Sequence, residues 1–190
     1  MLRTLFLCTP FVALAGLAQA ADTPPAMKAF VESDVMSWAN GPVVIDAVTA
    51  QNAETAGVSE AQILEWDTAW RAQVGQAEQP LISDVMGREL SAYLKEKVAA
   101  SGGRITEVFV MDALGLNVAA SNVTSDYWQG DEDKYTKTYS MGSGAVFVDE
   151  VEFDESSQAY QGQISISLTD PASGQVVGAM TIGLNAEAFF

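Results

Sequence analysis

One stretch of the chain gathers the side chains that recognise small molecules. Asp126-Tyr127-Trp128 sits in a polar loop with Thr124, Ser125, Gln129 and the acids Asp131, Glu132 and Asp133, and Tyr139 follows shortly after. Aromatic faces next to a carboxylate suit a cationic or amine head, through cation–π attraction and charge. These four residues, Asp126, Tyr127, Trp128 and Tyr139, are the candidate ligand-binding set. The alternative is that Trp128 only plugs the end of a small core while the acids face water. Two acidic clusters, Asp131-Glu132-Asp133 and Asp149 to Glu155, have the hard oxygens that Ca²⁺ takes. Neither has calcium-loop spacing around a central glycine, so both read as solvated charge and no metal site is assigned.

The rest of the composition narrows the chemistry by exclusion. The chain contains no histidine. Ser-His-Asp and Cys-His catalysis and the common zinc sites are therefore ruled out. Paired-carboxylate acid–base work is the remaining enzymatic option, but it is defined by a separation in space that a sequence does not contain. With no catalytic motif present, the chain reads as a non-enzyme without a cofactor. There are 25 acidic against 9 basic residues, and loss of Arg3 with the leader described next takes the net charge to −17. Such a charge disfavours nucleic acid and anionic lipid as partners and favours neutral or cationic ligands. It also fits an acidic surface that only reflects the surroundings in which the protein works.

Residues 1–20 read as a signal peptide: Arg3 is the positive start, Leu5 to Leu17 the apolar stretch, and Ala18-Gln19-Ala20 the cleavage signal. Cys8, the single cysteine, lies inside it, so the mature chain is expected to have no thiol, disulfide or lipid anchor. No second long apolar run follows. The expectation is an exported protein without membrane insertion after cleavage. Its 21–190 portion, about 170 residues, is enough for one domain with its own core.

The elements that must position the loop follow from periodicity. Met27, Phe30, Val31, Val35 and Trp38 recur at helical spacing, predicting a helix from about Pro25 to Ala39. Pro42 suits the first turn of another, to about Thr55, although Val43-Val44-Ile45 also fits a strand. Ser59 with Gln62 forms a capping-box pattern ahead of a helix from about Glu60 to Gly75, and its apolar stripe makes Trp66 and Trp70 core rather than ligand cage. A third amphipathic pattern runs from Ile82 to Val98 and ends before Gly102-Gly103. From Arg104 the period becomes alternating. Glu107–Asp112 and Asn117–Ser121 read as the first two strands, and Ala145–Phe153 as another. The run from Tyr160 to Thr169 alternates apolar and polar as a half-buried antiparallel strand does, and Val176 to Leu184 closes the sheet. Helices first and strands second predict an α+β domain: N-terminal helices on one face of an antiparallel sheet.

Two motifs carry a resemblance. The turn Asp112-Ala113-Leu114-Gly115 follows a D-x-x-G pattern, and Gly174, Gly178 and Gly183 space the last strand as G-x-x-x-G-x-x-x-x-G. With the order of helices and strands, the chain from about Met27 to Phe190 resembles the Cache (PDC-type, PAS-like) sensor domains of bacteria. The resemblance implies a five-stranded PAS-like sheet and a pocket between that sheet and its long loop, holding a small molecule. It implies a role in signal transduction, non-catalytic, through a separate membrane partner such as a histidine kinase or chemoreceptor. The sequence departs from the usual layout in having no flanking transmembrane helix and no signalling module after Phe190, which suggests a free-standing periplasmic version. The arginine-and-tryptophan pattern of the amino-acid-binding subfamily is not found, so that ligand is not carried over. A partner-docking or structural module without a ligand is the competing reading.

Overall fold

The computed structural model describes residues 23–154 and 159–189. The expected leader, with Arg3, Cys8 and the Ala18-Gln19-Ala20 signal, lies outside them, as does Glu155 of the second acidic cluster. The fold is α+β. Seven α-helices are described: α1 (Pro25–Phe30), α2 (Met36–Ala39), α3 (Pro42–Thr55), α4 (Glu60–Gln73), α5 (Pro80–Gly87), α6 (Glu89–Ala100) and α7 (Asp133–Thr136). A π-helical turn, Val31–Val35, joins α1 to α2, so 25–39 is one continuous helical rod as expected.

Local chemistry sets most of the boundaries. Pro42 and Pro80 occupy first-turn positions, where a missing N–H is harmless. Ser59 Oγ accepts the Gln62 amide and caps α4. The helix expected from Ile82 to Val98 is broken in two at Arg88, whose backbone is extended. Gly87, a poor helix former, ends α5 there, and the Arg88 guanidinium donates to Gln51 Oε1 at 2.6 Å and to the Val118 carbonyl at 2.8 Å, both outside its own helix.

The sheet has six strands: β1 (Ile105–Met111), β2 (Asn117–Ala120), β3 (Val146–Val148), β4 (Glu152–Asp154), β5 (Ala159–Thr169) and β6 (Val176–Asn185). All pairings are antiparallel, in the order β2-β1-β6-β5-β3, with β4 pairing β5 further along the same edge. The five positions across the sheet match the expected PAS-like arrangement. The single strand expected over 145–153 is interrupted between Val148 and Glu152, where Val151 turns into the core.

The two sheet faces are distinguished by parity. Val108, Val110, Ile164, Ile166, Met180 and Ile182 meet Met27, Val31, Val35, Val44, Val48 and Leu94 from the helices. The alternate positions Phe109, Met111, Ala120 and Ala179 pack against Tyr135 on the other side. There β5 departs from the half-buried expectation: Gln161, Ser165 and Ser167 are buried too. The segment 122–145 with α7 crosses this face and covers it, and Ser165 Oγ and Thr181 Oγ1 bond each other at 2.9 Å beneath it.

Candidate functional site

The covering segment rests against the β1–β2 turn, which hangs on one buried carboxylate. Asp112 Oδ1 accepts the amides of Leu114 at 2.8 Å and Leu116 at 2.9 Å, and Oδ2 accepts Gln51 Nε2 and Thr55 Oγ1 from α3 at 3.1 and 3.0 Å. Gly115 completes the turn at φ +82°; a Cβ there would stand 2.5 Å from Gly130 Cα, so turn and loop touch through bare backbone. The loop continues the ladder: the Asn117 amide donates to the Tyr127 carbonyl at 3.0 Å and the Gln129 amide to the Gly115 carbonyl at 2.8 Å.

Helix α4 holds the loop from outside. Asp67 Oδ1 accepts the amides of Tyr127 at 2.9 Å and Trp128 at 3.0 Å. Its Oδ2 accepts Arg71 Nε at 2.8 Å, and Arg71 reaches on to Asp126 Oδ2 at 3.4 Å. The hydrogen bond and charge of Asp67 push the Arg71 guanidinium above its already high pKa. Trp70 Nε1 donates to the Thr124 carbonyl at 2.8 Å.

The four residues singled out by type take different places. Tyr127 is buried and stacks on Trp70, with ring centroids 5.4 Å apart. Trp128 is half-buried against the cluster of Ile63, Trp70 and Ile82, and its Nε1 donates to the Leu114 carbonyl at 2.8 Å. Tyr139 stacks on Tyr135 at 5.1 Å. Asp126 alone of the four lines the cleft between loop and sheet. The structure therefore does not bring the three rings and Asp126 around one cavity. The rings pack into the walls, and Trp66 and Trp70 both pack within the helical cluster as expected.

That cleft holds about 270 Å³. The loop contributes Thr124, Ser125, Asp126 and Gln129, the sheet contributes Glu107, Phe109 and Gln163, and α7 contributes Lys134. Asp126, its side chain 15 % exposed, accepts Ser125 Oγ at 3.0 Å and Gln129 Nε2. Glu107 Oε1 accepts Gln161 Nε2 at 2.9 Å and Gln163 Nε2 at 3.2 Å. Gln129 is 1 % exposed and, among the described residues, its Oε1 has no hydrogen-bond partner. Lys134 pairs with Glu132 at 2.9 Å and stands 5.5 Å from the Phe109 ring centre. The cleft is thus rich in acceptors, with two carboxylates on its lining and one orphan amide oxygen buried in its wall against one paired ammonium. Glu107, Gln129, Lys134 and Gln163 were missed from sequence. For Glu107 and Gln163 the signal was parity, since each alternates with core residues on its strand. Gln129 in the loop and Lys134 in the four-residue α7 gave no such signal, because neither segment is long enough to show a period.

Burial raises the two tyrosines nearest this site. The Tyr127 phenol is pushed up to about 12, chiefly by desolvation, and Tyr135 is raised further by the same cause, with Tyr139 and Asp112 adding to it. A folded-state value above the unfolded one, about 10, means the neutral phenols stabilise the fold fully below that pH. That stability is lost as pH rises through the folded values. Alkaline titration followed by phenolate absorbance is expected to show these two of the 5 tyrosines ionising only together with loss of circular dichroism. Their titration at the ordinary tyrosine pH with the fold intact would contradict the burial argument.

Solved structures similar to this chain include sensor domains of histidine kinases and chemoreceptors. The sensor domain of the V. cholerae histidine kinase DctB matches at a TM-score of 0.44 and 11% identity, covering 86% of this chain and 53% of that one. The sensory domain of the Campylobacter jejuni chemoreceptor Tlp3, with isoleucine bound, matches at 0.39 and 12%, covering 87% and 65%. The ligand-binding domain of the Pseudomonas aeruginosa amino acid chemoreceptor PctC, in complex with GABA, matches at 0.38 and 12%, covering 78% and 61%. The chain spans about half to two thirds of the length of these structures. No family model matches the sequence, and no curated protein matches it. The α+β assignment rests on this chain's own strand order and packing. No helix among the described residues is long and apolar enough to cross a membrane.

Proposed function

We propose that the chain is a non-catalytic binding module for a small polar, cationic ligand, seated in the cleft between the sheet and its covering loop. The observation that carries this reading is the acceptor set of the cleft: Asp126, Glu107 and the unpartnered Gln129 Oε1. A buried acceptor without a donor costs about 1–3 kcal/mol, so a donor-rich ammonium or guanidinium head entering there gains hydrogen bonds as well as charge. Asp126 is the charge-recognition residue. Tyr127, Trp128 and Tyr139 serve the site by fixing the walls that carry it. The biological role we assign is sensing in the periplasm after removal of the leader, with occupancy passed to a separate membrane protein such as a histidine kinase or chemoreceptor.

A thermal-shift screen against amines, amino acids, organic acids and divalent cations tests the reading. An amine at about a hundred times its Kd adds about 2.7 kcal/mol, which for a domain of this size raises Tm by roughly 5–10 °C. Asp126→Asn is expected to abolish that shift while leaving the unliganded Tm within a few degrees, since Asn keeps the oxygen that accepts Ser125 and Gln129 and loses only a long contact to the half-exposed Arg71. Stabilisation by organic acids alone, or a full amine shift in Asp126→Asn, would sink the assignment.

A further inference from the structure

On the opposite side of the sheet, an open groove runs between α3 and the elbow where α5 meets α6. It consists of two adjoining clefts of about 380 and 410 Å³ that share Ala47, Glu89 and Leu90. Its apolar lining is supplied by Pro42, Val43, Ala47, Ala50 and Leu90, and Val43 is 45 % exposed although it opens a helix. Four carboxylates, Asp46, Glu54, Asp84 and Glu89, line the same groove. Among the described residues that line it the one cation is Arg88, which the protein itself engages: Nη1 donates to Gln51 Oε1 and the Val118 carbonyl, and Nη2 pairs with Asp84 at 2.8 Å. The groove therefore presents apolar surface between acidic edges, a pattern distinct from the ligand cleft, whose lining is mainly polar.

We propose that this groove is a docking surface for a basic amphipathic helix of a partner protein. The 14 residues of α3 give it a length of about 21 Å, which matches about four turns of an incoming helix. Such a helix places apolar anchors at i, i+3, i+4 and i+7 on the floor, and its flanking Lys and Arg meet the carboxylates on either side. The acidic edges repel polyanions, so nucleic acid and an anionic membrane are the wrong occupants. Charge steers the encounter and the apolar floor holds it.

The test uses the full chain and a synthetic amidated helix with Leu at the anchor spacing and Lys elsewhere, read by fluorescence anisotropy at physiological salt. The same peptide with Glu for Lys is the control. D46K/E89K is expected to weaken the Lys peptide by at least about tenfold, and E150K/E152K, which changes net charge equally on the far edge of the sheet, by no more than about twofold. All four positions are exposed, and a thermal melt of each variant verifies the fold. Absence of binding by the Lys peptide, equal binding of the Glu peptide, or equal weakening by the two charge reversals overturns the proposal. Asp126→Asn leaves the peptide affinity unchanged if groove and ligand cleft are separate sites, so the two readings succeed or fail independently.

Discussion

Asp112→Ala is expected to bring the protein to the edge of unfolding. The carboxylate is completely buried and takes four donors: two turn amides, Gln51 Nε2 and Thr55 Oγ1. Alanine leaves those donors in a site that water does not reach, and each unpaired donor costs about 1–3 kcal/mol. Partial re-pairing brings the sum to about 4–6 kcal/mol, against a total stability of about 5–15 kcal/mol for a domain. Urea denaturation is the measurement: the midpoint falls steeply while the slope stays as in the parent. Asp112→Asn keeps one oxygen for the turn amides but sets an NH₂ group against the donors from α3, so it loses about half as much. A parental midpoint for Asp112→Ala would show that the turn is held by something else.

Asp67→Ala is the second large effect, and it reaches the ligand cleft. Asp67 sits in the middle of α4, buried, and its Oδ1 secures the amides of Tyr127 and Trp128 next to Asp126. Its loss strands two amides and is expected to cost about 3 kcal/mol. Asp67→Asn retains the oxygen that receives those amides. It gives up only the ion pair with the half-exposed Arg71, worth about 1 kcal/mol or less. Hydrogen exchange separates the variants, with the Tyr127 and Trp128 amides losing protection in Asp67→Ala and keeping it in Asp67→Asn. The affinity of any amine found in the thermal-shift screen should fall with that protection, because the loop that presents Asp126 is no longer anchored. Protected amides in Asp67→Ala would refute the anchoring role.

Both carboxylates show where sequence reasoning reached its limit. The D-x-x-G turn at Asp112 was legible as a turn, but its burial under α3 depends on Gln51, 61 residues earlier. Nothing marked Asp67 apart from the other acids on its helix, because its partners are backbone amides 60 and 61 residues away. The loop's place between strands is legible in the alternating pattern on either side of it, and Asp126 lies in the cleft it forms with the sheet. The rings beside it were chosen by type alone. Their direction is set by stacking of Tyr127 on Trp70 and Tyr139 on Tyr135 and by the bond from the Trp128 indole to the Leu114 carbonyl, which one-dimensional spacing does not express. Likewise the polar alternates of β5 read as a solvent face. They are covered because segment 122–145 folds back over them, and that is a contact between distant parts of the chain.

What the amino-acid order determined by itself was everything governed by neighbours a few residues apart. Prolines set helix starts, Ser59 capped α4, and the change from helical to alternating period divided the domain into helices and sheet. The lack of histidine and the excess of acid likewise bounded the chemistry before any folding. The tertiary structure alone decided which acceptors share a cleft and which rings become walls. Those outcomes depend on hydrogen bonds and packing between residues far apart in the chain, and such pairings exist only once the sheet has brought its faces to their partners.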